Sequence, residues 1–240
     1  MTIIDASNLD HREINDKIRE AGEEMTIRGC LGQRFIATGA SDKKIAIEGV
    51  PGNALGSYLN GATIDVRGNA QDAVGDTMND GTIIVRGDVR DVAGYAARRG
   101  RIYVRGNAGY RVGVHMKAYE DKSPLIVVGG RAGSFLGEYQ AGGSIVVLGL
   151  GIGDKPLVGD FPCAGMHGGK MWLRCAPDRV RFPNQVLARR IEESERAELR
   201  ALIADYCRVF DLDLDETTSG AFTVVVPNAS NPYRQLRVDN

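Results

Sequence analysis

The chain has 240 residues, of which 43% are hydrophobic and 25% charged, and its formal net charge is −1. These values exclude bulk disorder and leave no electrostatic pull toward nucleic acid or anionic lipid. No apolar run approaches the ~20 residues of a spanning helix, and the opening MTIIDASNLDHREIND lacks a signal-peptide progression, so a soluble cytoplasmic protein is expected, with neither a nucleic-acid nor a membrane partner.

At the amino terminus, Ser7-Asn8-Leu9-Asp10 followed by HREINDKIREAG predicts a capped amphipathic helix stopped by Gly22, within a helical cap over 1–24. The next region is dominated by glycine, 31 residues in all, about 13% against a usual ~7%. Glycines at Gly29, Gly49, Gly68, Gly87, Gly106, Gly130 and Gly149 advance in steps of 20, 19, 19, 19, 24 and 19. Two and four residues before each stands an apolar side chain, from Met25 and Ile27, through Ile64 and Val66 and Ile83 and Val85, to Ile145 and Val147. Alternation on β-branched residues is the signature of a half-buried strand. Further glycines recur at Gly56, Gly75, Gly94, Gly113 and Gly137, and at Gly61, Gly81, Gly100 and Gly143. One strand and two more corners per 19 residues cannot bury an apolar face alone, whereas stacked copies can, so the pattern predicts a parallel β-helix over 25–176. The 24-residue step places an outward loop in HMKAYEDKSPL, and the last coil runs irregularly through GLGIGDKPLVGDFPCAGMHGG before Met171 and Leu173.

Beyond the coils, over 177–240, Leu199, Leu202, Ile203, Tyr206 and Phe210 recur at helical spacing within 194–210, and AFTVVVP at 221–227 reads as a strand followed by a tail from 228. Within the coils, the positions three before the glycines point outward and turn apolar along the rod: Thr26, Ala46, Asp65, Ile84, Tyr103, Val127, Val146. The stripe Ile84, Tyr103, Val127 and Val146 is therefore expected to dock something, either this chain's own carboxy-terminal helix over part of its length or another protein. Beside it Arg28, Glu48, Arg67, Arg86 and Arg105 stack at ~5 Å, where Arg67, Arg86 and Arg105 could hold an anion or an acidic partner, or could instead pair with acids on neighbouring coils.

Catalytic signatures are sparse. Gly149-Leu-Gly151-Ile-Gly153 lacks the third fingerprint glycine, since residue 154 is Asp, and no helix follows, so it reads as a coil corner rather than a nucleotide site. His11, His115 and His167 are too scattered for zinc, and Asp72, Asp76, Asp88 and Asp91 at coil corners are read as partners of backbone amides rather than calcium ligands. Cys30, Cys163, Cys175 and Cys207 include no C-x-x-C pair and are expected to be reduced and mostly buried. No catalytic, metal or cofactor residue is assigned; the assigned residues are the structural glycines Gly49, Gly68, Gly87, Gly106, Gly130 and Gly149 and the candidate interface.

The stretches GVPGNALGSYLNG (49–61), GNAQDAVGDTMNDG (68–81), GNAGYRVGVHMK (106–117), GGRAGSFLGEYQAGG (129–143) and GMHGGKMWLR (165–174) resemble the GXGXG domain, the β-helix that closes the large subunit of glutamate synthase. The resemblance covers about 25–175 and extends to the β-helix subunits of formylmethanofuran dehydrogenase and N-methylglutamate synthase. The expected fold is all-β, a single-stranded right-handed parallel β-helix of about seven coils with helical flanks. The resemblance implies a non-catalytic scaffold, with a glutamine amidotransferase subunit and an FMN-containing synthase subunit as partners that carry the FMN and iron–sulfur clusters. A hexapeptide-type acyltransferase fits less well, because glycine steps of 7, then 5 or 6, then 6 or 7, with β-branched pairs at one corner only, do not match its triple repeat.

Overall fold

A computed structural model describes residues 2–119 and 123–228. Nine parallel strands stack in chain order: β1 Thr2–Asp5, β2 Glu24–Leu31, β3 Lys44–Val50, β4 Asn60–Val66, β5 Asp80–Val85, β6 Arg101–Val104, β7 Leu125–Val128, β8 Ala141–Val147 and β9 Gly168–Leu173. Seven turns of a parallel β-solenoid lead from β2 to β9. The expected interior ladder is in register: Ile45, Ile64, Ile83, Ile102, Ile126, Ile145 and Met171 pair in one column. Ile47, Val66, Val85, Val104, Val128, Val147 and Leu173 form a second, and all are buried in one continuous core. A line of single bridges, Ala70, Val89, Ala108, Ala132 and Val158, closes a second face.

The glycines fall into two classes with different physical reasons. Gly75 has a left-handed φ of +69°, and a Cβ there would lie 2.6 Å from Ile102 Cδ1, so the corner turns inward where the isoleucine column leaves room for a hydrogen only. Gly68, Gly87, Gly106 and Gly130 have no left-handed φ; their role is close approach, each amide from Gly87 onward donating to the preceding glycine's carbonyl at 2.8–3.0 Å. Asn69, Asp88 and Asn107 reinforce this line, each side chain accepting the N–H of its counterpart one coil on, at 2.8, 2.6 and 3.1 Å. Asp72 and Asp91 do the same for the Asp91 and Tyr110 amides, at 3.2 and 2.8 Å. Asp72, Asp88 and Asp91 thus serve backbone amides, as expected of them, whereas Asp76 accepts from the Thr77 hydroxyl at 2.7 Å.

The flanks are richer than the sequence indicates. Residues 1–24 were expected to be helical, but β1 pairs in parallel with β2 before α1, His11–Glu20, begins. TIID carries no glycine step to reveal it. Asp10 caps α1 by accepting from the Arg12 and Glu13 amides while Glu13 accepts from Asp10, and Ile14 and Ile18 seal the end of the core. The helix ends at Ala21 without using Gly22, which has no left-handed φ.

At the other end α2, Glu193–Val209, and β11, Thr223–Pro227, match expectation, whereas β10, Val186–Arg190, and the short α3, Leu214–Thr218, are additional. β11 inserts antiparallel between β9 and β10, ending the parallel stack. Residues 120–122 of the expected loop, and the expected tail beyond Asn228, lie outside the described residues.

Gly75→Val should therefore cost about 3 kcal/mol, from overpacking and from a β-branched residue forced left-handed, lowering Tm by roughly 6–12 °C. Gly22→Val, with nothing within 4 Å and no left-handed φ, should change Tm little. Calorimetry of the two variants checks the assignment, and equal shifts would contradict it.

Candidate interaction surface

Each turn has a corner at which every second residue is left-handed: Ala54, Gly56 and Tyr58; Ala73, Gly75 and Thr77; Arg111, Gly113 and His115; Phe135, Gly137 and Tyr139. Hydrogen bonds between coils hold this geometry. The Ala54 and Tyr58 amides donate forward to the Asp72 and Asp76 carbonyls at 2.9 and 2.8 Å, and the Gly56 amide donates back to Ile36 at 2.8 Å. Leu55, Val74, Val112 and Leu136, beside the central glycines, point into the core. The outer left-handed positions and their neighbours carry aromatic residues instead, so Phe35, Tyr58, Tyr95, Tyr110, Tyr139 and Phe161 are all 41–65% exposed.

These rings form an ordered rib. His115 stacks on Tyr139 with centroids 5.1 Å apart, Tyr95 meets His115 edge-on at 6.0 Å, Phe135 stacks on Phe161 at 5.3 Å, and the Arg111 guanidinium sits 4.6 Å above Phe135. Exposed tyrosine, phenylalanine and arginine held by mutual stacking are the side chains enriched in protein–protein contacts, because they bury large areas with little entropy left to lose. The sequence reading did not find this rib. The signal is present as aromatic residues one to three places from the central left-handed residue of each corner.

Of the two covers expected for the apolar stripe, the structure supplies the chain's own helix. Ile84, Tyr103, Val127 and Val146 lie beneath α2, in a second core with Leu199, Ile203, Tyr206 and Phe222. Tyr103 and Tyr206 meet edge-on at 5.7 Å; the Tyr206 hydroxyl donates to the Val104 carbonyl at 3.2 Å, and the Tyr103 hydroxyl to Asp205 at 3.2 Å. Burial raises the pKa of both phenols, so they remain donors across the physiological range. Gly129 stands where the preceding coils carry arginine because a Cβ there would overlap the Arg105 carbonyl and the Tyr206 hydroxyl. The apolar stripe is therefore an internal joint along its whole length, not a surface open to a partner.

The arginine ladder is mostly spent within the chain as well. Arg28 and Arg67 share Glu48 at 2.9 and 2.8 Å, and Arg86 grips Asp65 through two bonds of 2.9 and 2.8 Å. Arg105 alone among Arg67, Arg86 and Arg105 has no carboxylate partner among the described residues. Cys30 and Cys163 are buried, and desolvation pushes their thiols up to about 11 and about 12. Among the described residues no three His, Cys, Asp or Glu side chains are grouped to hold a metal ion, and no helix is long and apolar enough to cross a membrane.

Fold and surface together define a glycine-cornered parallel β-solenoid whose outer sheet is sealed by its own helix. The GXGXG motif family matches residues 6–229, and the chain belongs to that family. It is 43% identical over 248 residues to an uncharacterized protein of Methanocaldococcus jannaschii, covering 98% of this chain and 95% of that one. In fold it matches a chain of the formyltransferase/hydrolase complex (FhcABCD) from Methylorubrum extorquens, solved with methylofuran, at TM-score 0.64 and 18% identity, over 92% of this chain and 89% of that one.

Because α2 covers the stripe, changing Tyr103 and Val127 together to serine should destabilise the isolated chain by about 4 kcal/mol or more. Urea unfolding measures this. An unchanged midpoint would show that the stripe is not covered in solution.

Proposed function

We propose that this chain is a non-catalytic scaffold subunit of a multisubunit complex and that catalytic chains dock along its aromatic rib. The observation that carries the reading is the rib itself, a line of exposed rings spanning several coils, on a chain whose described residues group no three His, Cys, Asp or Glu side chains to hold a metal ion. Membership in the GXGXG motif family, and a fold shared with a chain from a formyltransferase/hydrolase complex, both favour a subunit over a free-standing enzyme. The architecture suits the task. Coils tied at every corner resist bending, and transfer of an intermediate between two sites requires their separation and orientation to be held.

The specific complex we propose is of the glutamate synthase type. A glutamine amidotransferase subunit releases ammonia, and a synthase subunit bearing FMN and iron–sulfur clusters uses it to convert 2-oxoglutarate reductively to glutamate. The resemblance of the glycine-rich stretches at 49–61, 68–81, 106–117, 129–143 and 165–174 supports this choice. A second reading, a β-helix subunit of a formyl-transferring complex, is favoured by the structural match over nearly the whole chain.

Purification of the tagged full-length chain from its own cells tests both. The glutamate synthase reading predicts stoichiometric co-purification of an amidotransferase chain and a flavin chain, with glutamine-dependent glutamate formation; formyl transfer by the complex would select the second reading. The isolated chain should be colourless and inactive. Tyr58→Ser, Tyr95→Ser and Tyr139→Ser combined should keep Tm within a few degrees and weaken association by roughly thirtyfold or more. A folded triple variant recovering its partners at wild-type stoichiometry would contradict docking on the rib.

A further inference from the structure

The last coil departs from its predecessors in one respect that the scaffold role does not use. Four residues lead from the inner strand to the bridge in ordinary coils, from Val85 to Val89, Val104 to Ala108 and Val128 to Ala132, whereas eleven lead from Val147 to Val158. The additional residues lie within G-L-G-I-G-D-K, 149–155, which leaves the stack after Leu150, the Gly149 and Leu150 amides still donating to the Gly130 and Gly129 carbonyls at 3.0 and 2.7 Å. Gly149, Gly151 and Gly153 have φ of +64°, +71° and +59°, the every-second-residue pattern of the solenoid corner. At that corner the N–H groups meet carbonyls of adjoining coils. Here the loop stands off the stack, and the amides of Gly151, Ile152, Gly153 and Asp154 donate to no group among the described residues. Amides left without an internal acceptor are donors open to an anion.

The loop forms one wall of a cleft of about 720 Å³ whose other wall is the outer face of the two preceding coils. Arg131 and Lys155 line it, and neither has a carboxylate partner among the described residues. The ridge 156–160 separates this cleft from another of about 690 Å³, lined by Arg179, Arg181 and the rings of Phe161 and Phe182. Asp160 is the one acidic residue lining either. Four cations against one carboxylate is a marked local excess in a chain of net charge −1, and the volumes match small-molecule sites rather than a bare ion.

We propose that this paired cleft binds a small-molecule oxyanion, with the phosphate or carboxylate head of a metabolite held by the loop amides, Arg131 and Lys155, and its remainder lying across the ridge toward Arg179, Arg181 and the two phenylalanine rings. The site adjoins the docking rib, sharing the Phe161 ring with it, and does not rest on the identity of the complex.

Amide-resolved NMR of the ¹⁵N-labelled full chain tests it, with inorganic phosphate and, separately, succinate titrated at ionic strength held constant with sodium chloride. Saturable shifts at the Gly151 and Ile152 amides are expected, with phosphate alone marking a phosphorylated ligand, succinate alone a carboxylated one, and both a head group of either kind. Arg131→Gln combined with Lys155→Gln should weaken the apparent affinity by roughly fivefold or more while leaving the remaining spectrum unchanged. Lys155→Gln alone, at an exposed position, serves should the double variant fail to fold. Shifts that do not saturate, shifts reproduced by sodium chloride, or wild-type affinity in a folded variant would overturn the proposal.

Discussion

Everything in this protein depends on one spacing, the ~4.8 Å at which a coil's backbone must meet the next. At the close-approach corner it brings the Gly87, Gly106, Gly130 and Gly149 amides within 2.8–3.0 Å of the preceding glycine carbonyls, and there a side chain would hold the coils apart. At the left-handed corner it requires an inward-turning residue over the isoleucine column, where a side chain would collide with Ile83, Ile102 or Ile145. The isoleucines and the glycines are therefore one design: a column of large residues from one face fills the space that absent side chains leave on another.

The left-handed corner has a conformational cost, of order 1–2 kcal/mol for each non-glycine residue held there. Hydrogen bonds to both neighbouring coils offset it, and the same geometry turns the outer positions toward solvent. Tyr58, His115 and Tyr139 occupy such positions, so the rings are turned outward by the backbone's own constraint, and His115 and Tyr139 are ordered by stacking on each other. The opposite demand applies on the strand face. Ile84, Tyr103, Val127 and Val146 form an apolar outer sheet that would be left wet, and α2 returns across it, anchored by Tyr206 on the Val104 carbonyl and by Lys170 on Glu198 at 2.6 Å. One side of the rod is closed by the chain itself and another is left open, which is how a rigid body comes to present a defined contact surface.

Much of this was legible because glycine steps and β-branched alternation report local geometry. The strands from β2 to β9, the inner columns and their register, the capped α1 and the apolar face of α2 all follow from spacing. β1 and β10 escaped because each is short and carries no glycine step: β1 is held by parallel pairing to β2, and β10 by antiparallel pairing to β11. Spacing gave the stripe its outward direction but not its full cover, since nothing local reveals that a helix at 193–209 returns over β5 to β9. The rib is not legible in the spacing because its residues are spread over four positions around the corner and skip Thr77 and Ala96, so no single column reads as aromatic. The G-L-G-I-G run reads as a corner and has a corner's dihedral pattern, but after Leu150 the longer connection leaves the stack, and the amides from Gly151 to Asp154 have no acceptor among the described residues.

The central claim, that bonds between coils at the left-handed corner hold the stack as firmly as the strands do, is tested most directly by hydrogen exchange of the mid-coil glycine amides. Gly56, Gly75, Gly94, Gly113 and Gly137 donate to Ile36, Leu55, Val74, Ala93 and Val112 at 2.8–2.9 Å. The account predicts that in the native protein these five amides exchange as slowly as those of β4 to β8, because each opens only when its coil separates from its neighbour. Exchange at the rate of an exposed loop would contradict it.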